Sequence, residues 1–160
     1  MKNQRLLICG LLGLAAACSD SGGISGTGGR SPGFAGGAIE GFGSVILNGV
    51  RFDTGTATLT VDGDAATQSD LRIGQVVEVQ GDFSTGVATT VAYRSEIKGP
   101  VTSATVTNAV LGLGTFVVLG QTVEVDSSTV FDGTTLELVT AGDLLEVSGV
   151  RNSDGSVVAT

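Results

Sequence analysis

The chain has 160 residues, 8 of them basic and 16 acidic, with a formal net charge of −8 at pH 7. It contains no histidine and no tryptophan, which excludes Ser-His-Asp and Cys-His nucleophile systems, histidine proton relays and histidine metal sites. Its arginines stand apart, at Arg30, Arg51, Arg72, Arg94 and Arg151, so no basic stripe forms and nucleic acid is excluded as a partner.

The chain opens on "MKNQR", with Lys2, Arg5 and no acid, and continues into "LLICGLLGLAAA", Leu6 to Ala17, without a charge. A basic head, a short apolar body and a small-residue end predict a secretory signal peptide over residues 1–17. Twelve residues rise only about 18 Å as a helix, too short for the ~30 Å of hydrocarbon that a permanent span must cross. "LAAAC" resembles the lipobox of bacterial lipoproteins, with Leu14 one step further out than usual and Ala15 in its place. The resemblance implies that Cys18 takes a diacylglycerol as a thioether and becomes the new N-terminus, anchoring the chain to membrane. Ile8 is too bulky a neighbour for Cys9 to serve instead. Cleavage removes Cys9 and lipidation consumes Cys18, which leaves no thiol for disulfides or metals. Ser19 stands where an aspartate would signal inner-membrane retention, so the expected address is the bacterial cell envelope, at the outer membrane.

Residues 18–38 are expected to be the lipidated cysteine and a tether. Positions 19–38 hold eight glycines, a composition that behaves as flexible coil. "GTGGRS" lacks the Gly-Lys-Ser/Thr ending of a phosphate loop.

From Ile39 onward the chain repeats itself once. "AIEGFGSV" matches "EIKGPVTS" through Ile39/Ile97 and Gly41/Gly99. "VRFDTGTA" matches "VEVDSSTV" through Asp53/Asp126. "LRIGQVVEVQG" matches "VTAGDLLEVSG" through Gly74/Gly142, Glu78/Glu146 and Gly81/Gly149. The expected units are residues 39–97 and 98–160. With 21 valines and 19 threonines, the composition favours pleated, half-buried strands.

In the first unit the predicted strands are "AIEGFGSVIL", "VRFDT", "ATLTV", "QVVEVQ" and "GVATTVAYR". Asn48-Gly49 is a strong tight-turn signal because both residues tolerate positive φ. In the second they are "GPVTSATVTN", "GTFVVLG", "QTVEVD", "DLLEVSGVR" and "SVVAT". The segments "ATQSDLRIG" and "GTTLELVTAG" sit between the third and fourth strands, and either is able to make one helical turn. Five strands per unit, interrupted between the third and fourth, predict an all-β chain of two tandem OB-like barrels. The alternative is a single β-sandwich built from the two repeats. The short last strand predicts a frayed edge at Val157, Val158 and Thr160 and a less stable second unit. The ordered blocks, twice over residues 39–160, resemble the bacterial domain of unknown function 5666, found in lipoproteins. That resemblance implies no activity and no catalytic residues.

Three carboxylate sets carry chemistry in principle. Asp62, Asp64 and Asp70 in "DGDAATQSD" offer hard oxygens to calcium, but the positions after Asp64 depart from an EF-hand loop, and a polar turn is the simpler reading. Glu78 and Glu146 would form a glycosidase pair only if they converged; equivalent places in two units predict that they do not. Asp53 and Asp126 read as turn formers. The expectation is therefore a lipid-anchored, non-enzymatic envelope module without cofactor, metal site or catalytic residue, binding an envelope protein or glycan or serving structurally. A calcium-dependent adhesive or glycan-binding module and a carboxylate glycoside hydrolase are the alternatives.

Overall fold

The computed structural model describes residues 33–160. The expected signal peptide, Cys18 and the tether as far as residue 32 lie outside them. The first unit contains β1 (Gly33–Ala38), β2 (Val45–Leu47), β3 (Val50–Phe52), β4 (Thr58–Val61), β5 (Asp64–Ala66), β6 (Val76–Asp82) and β7 (Val87–Tyr93). The second contains β8 (Ile97–Asn108), β9 (Leu113–Val118), β10 (Gln121–Val125), β11 (Leu144–Val147), β12 (Gly149–Arg151) and β13 (Val157–Ala159). Both segments between the third and fourth strands of their units make a single 3-10 turn, over Gln68–Asp70 and Leu136–Leu138.

Each unit closes on itself. In the second, β8 pairs with β9, β9 with β10, β10 in parallel with β13, and β13 with β12. Through Ser148 the same strand becomes β11, which returns to β8. The first unit follows the same circuit. β1 pairs with β6 and β6 with β7. β7 runs parallel to β4, with a further parallel bridge from Val87 to Asp53 just after β3. β3 pairs with β2, and Ile46 of β2 bridges to Gly41, just beyond β1. This is the five-stranded barrel order 1-2-3-5-4-1 of the OB architecture, twice over, with a hairpin of β4 and β5 added to the first. Two separate cores follow. One gathers Val45, Phe52, Val77, Val79, Val91 and Tyr93 among others, the other Phe116, Val118, Val123, Val147 and Val157. Alternation sets the inward face: Val77 and Val79 are fully buried while Glu78 between them is exposed.

Three expectations are corrected here. The tether does not run to Ala38, because Gly33–Ala38 is barrel strand one. Its glycines answer close approach rather than flexibility: a Cβ at Gly33 would strike the Phe83 ring, and one at Gly37 would lie 3.0 Å from Asn48 Nδ2. The repeat register also shifts. Gly74 N bonds Ile39 O and Gly142 N bonds Val101 O, both at 2.9 Å, so Ile39 corresponds to Val101 rather than Ile97. Likewise Gly99, whose missing Cβ makes room for Leu119, corresponds to Gly37 and not Gly41. The two covering residues start equivalent tight turns, Asn48-Gly49 (φ 50° and 73°) and Leu119-Gly120 (φ 50° and 76°). Counted from those turns, Asp53 stands level with Glu124, not Asp126.

The third correction concerns the end of the second unit. β13 is not a frayed edge. It lies between β10 and β12, Val157 is fully buried, and Thr160 N donates to Ser148 O at 3.0 Å. The pairs Gly74/Gly142 and Gly81/Gly149 keep equivalent places. The first pair has positive φ (89° and 100°) in the turn before barrel strand four; the second presses on the backbone of strand five.

Candidate functional site

The acidic residues of "DGDAATQSD" go separate ways. Asp62, at φ 50° in the turn between β4 and β5, accepts from Ser95 N (2.8 Å) and Ser95 Oγ (3.0 Å). Asp70 accepts from Thr67 N at 2.8 Å, capping the first 3-10 turn. Asp64 sits exposed in β5. Among the described residues no three His, Cys, Asp or Glu side chains form a group able to hold a metal ion. Asp53 and Asp126 make the turns expected of them: Gly55 N donates to Asp53 Oδ1 at 2.9 Å and Ser128 N to Asp126 Oδ1 at 2.7 Å.

Glu78 and Glu146 do not converge. Glu78 lies on the outer face of β6, opposite Gly36 and Ala92. Glu146 faces the junction between the barrels, where its Oε2 stands 2.9 Å from Lys98 Nζ. Lys98 also lies 3.7 Å from Asp62 Oδ2. Beside this trio is Tyr93, 1% exposed, with the Glu146 and Gln75 side chains acting on its hydroxyl. Burial, and after it the Glu146 carboxylate, pushes the Tyr93 hydroxyl above its ordinary range. The bond to Glu146 likewise raises Lys98. No sequence pattern announces this cluster, since its members come from the β4–β5 turn, β7, β8 and β11.

The barrels meet along a second seam. Val76 N donates to Ser148 Oγ at 2.7 Å, and Thr160 Oγ1 donates to Gly74 O. Gly74 is required twice over, by its φ of 89° and because a Cβ would lie 3.1 Å from both Thr160 O and Val130 Cβ. Arg72 Nε approaches Asp132 Oδ2 at 3.3 Å across the seam; both are exposed, so this pair adds little stability. Beside it opens a cleft of about 800 Å³, within the size range of ligand sites. Its walls carry Ile73, Val130, Leu138 and Leu144, which are 48%, 48%, 68% and 79% exposed. Monomeric proteins rarely leave so many large apolar groups together in water. Carboxylates of Asp70, Asp132, Asp143 and Glu146 against the single guanidinium of Arg72 make the lining acidic.

The titrating groups set a pH response. Ser95 N lowers Asp62, Thr67 N lowers Asp70, the Ser128 hydroxyl lowers Asp126 and Ser156 N lowers Asp154. Depressed carboxylates contribute stability that is present above the unfolded-state value near ~3.9 and lost as pH falls through the folded values. Raised Tyr93 acts at the other end: stability falls once pH passes ~10, where the unfolded tyrosine ionises and the folded one does not. With no histidine between them, the melting temperature is expected to hold within about 2 °C from pH 5.5 to 8.5 and to drop below pH 4. A titration followed by thermal melts checks this.

Fold and junction together define a class: tandem OB-type barrels docked side by side, with an acidic, apolar-rimmed cleft between them. The family model described as Domain of unknown function (DUF5666) matches the chain twice, over residues 37–93 and 98–160. The chain belongs to that family. No curated protein and no solved structure matches it.

Proposed function

We propose that this chain is a lipid-anchored module of the bacterial cell envelope, held at the outer membrane through Cys18, whose role is to bind a polypeptide partner rather than to catalyse. The observation that carries the binding half is the cleft between the barrels, rimmed by Leu138 and Leu144 at 68% and 79% exposure. Solvent-exposed aliphatics around a concavity gain from being covered, at roughly 25 cal/mol per Å². The non-enzymatic half is supported by the lack of histidine and by Glu78 and Glu146 facing different surroundings. The anchoring half is supported by "LAAAC" and the short apolar run before it. Among the described residues no helix is long and apolar enough to cross a membrane.

Cys18→Ala is the direct test of anchoring. Two or more acyl chains hold a protein stably in a bilayer, and the variant has none. It is expected to leave the membrane pellet almost completely after a salt wash, whereas the unaltered chain stays. A variant that still sediments with membranes overturns the lipoprotein reading.

A further inference from the structure

The two barrels differ in the length of their first hairpin. Ile39 stands nine residues before Asn48, whereas its counterpart Val101 stands eighteen before Leu119. The added residues lengthen β8 and β9, which stay paired as far as Asn108 and Leu113. Thr105 to Asn108 are exposed in succession, so both faces of this ribbon stand clear of the barrel. At its tip Val110 is 94% exposed and Leu111 56%, with Val106 behind them at 41%. Residues 99–123 carry no charge, the longest such stretch among the described residues of an acidic chain, so nothing on the hairpin resists leaving water as a charge would. The turn also bonds its own backbone: Leu111 N donates to Asn108 Oδ1 at 3.1 Å and Gly112 N to Ala109 O at 3.3 Å. Hydrocarbon admits only backbone groups that are already satisfied within the protein.

We infer that the tip of the β8–β9 hairpin is a lipid-contact site: Val110 and Leu111 dip into the boundary between headgroups and acyl chains of the membrane that carries the Cys18 anchor, and so fix which way the second barrel faces it. This inference rests on the anchoring reading above and adds an orientation to it. A convex, uncharged tip suits a deformable medium, whereas a flat protein surface would cover only its end. Cys18 stands fifteen residues before Gly33, a reach of at most about 50 Å. Two aliphatic side chains bind a bilayer weakly by themselves, but the anchor holds them beside it at high effective concentration. Behind Gly112 lies the backbone of Asp126 and Ser127. The Asp126 carboxylate, bonded to Ser128 N at 2.7 Å, stays hydrated and limits immersion to the tip.

The chain has no tryptophan, so a single substitution makes a reporter. Leu111→Trp is compared with Val150→Trp, whose position on β12 is equally exposed at 57%. Each full chain, processed in bacteria, is reconstituted into phosphatidylcholine vesicles with or without bromine on the acyl chains, and flotation is followed alongside emission. Leu111→Trp is expected to shift to the blue by about 10 nm and to lose about half its emission to brominated lipid, while Val150→Trp loses less than about a tenth. Adding Val110→Asp is expected to cut that quenching about threefold, by placing a charge at the tip, without changing the melting temperature. The quenching is expected to persist at about 0.5 M salt, since no charge takes part. The inference is overturned if the chain floats with the vesicles while Leu111→Trp is quenched no more than Val150→Trp, or while Val110→Asp leaves the quenching unchanged; the anchoring reading then stands. It is overturned too if salt abolishes the quenching, or if the blue shift appears without vesicles and grows with protein concentration, which would make a second copy the occupant. A chain that does not float overturns the anchoring reading and this inference with it.

Discussion

Gly81→Ala and Gly149→Ala are each expected to cost about 3 kcal/mol and to lower the melting temperature of the affected barrel by about 10–20 °C. Both glycines sit in barrel strand four with the backbone of strand five directly over the Cα. A Cβ at Gly81 would strike Val87 O and lie 2.8 Å from Ala88 Cα; at Gly149 it would strike Val158 O and lie 2.8 Å from Val157 Cγ1. Carbonyl groups held in a ladder cannot rotate away as a side chain can, so the strand itself must shift. Gly99→Ala is a useful contrast, because its Cβ would meet only the side chain of Leu119, which can move. It is expected to cost less than half as much. Equal tolerance at all three positions in thermal melts would contradict the close approach of strands four and five.

Val157→Asp is the second large effect. Val157 is fully buried in the second core, paired in parallel with Val123 and antiparallel with Arg151. A carboxylate there has no partner, and an unpaired buried charge belongs to the few substitutions that cost more than about 4 kcal/mol. The second barrel is expected to be unfolded at 25 °C, by loss of β13 ladder signals in NMR spectra. Val158→Lys, one residue on and level with Glu124 on the parallel neighbour, is expected to cost less than about 1 kcal/mol. If both variants fold equally well, β13 is a loose edge after all.

Much of this fold is legible in the sequence wherever one strand's own pattern decides its fate. Val77, Glu78 and Val79 alternate as they are buried, and Asn48-Gly49 turns as the residue types require. Illegibility begins where a residue serves something distant in the chain. Gly36 and Gly37 read as tether, yet Asn48 Nδ2 donates to Gly36 O at 3.3 Å and its side chain covers Gly37. β13 is short, which suggested fraying, but a strand with a neighbour on each side needs little length. Asp53 and Asp126 share a turn motif and so align by sequence, while the ladder sets Asp53 level with Glu124. The junction was invisible for the same reason: the bond from Thr160 to Gly74 joins residues 86 apart, and neither is unusual in its own segment. Of the candidate site, the sequence singles out Glu146, for a catalytic pairing that the structure does not make, and Asp62 and Asp70, as members of one acidic loop whose side chains take separate partners.

Amide hydrogen exchange of the full chain, resolved by residue, tests the double-barrel account most directly. The account predicts slow exchange for Val77–Gln80, where β6 is bonded on both sides, and protection within about tenfold of that for Val157–Thr160, inside the second barrel. Leu144–Val147, bonded among the described residues to β8 alone, is predicted to exchange faster than either. Exchange of Val157–Thr160 at the rate of an unstructured chain, with Leu144–Val147 as slow as Val77–Gln80, would contradict it.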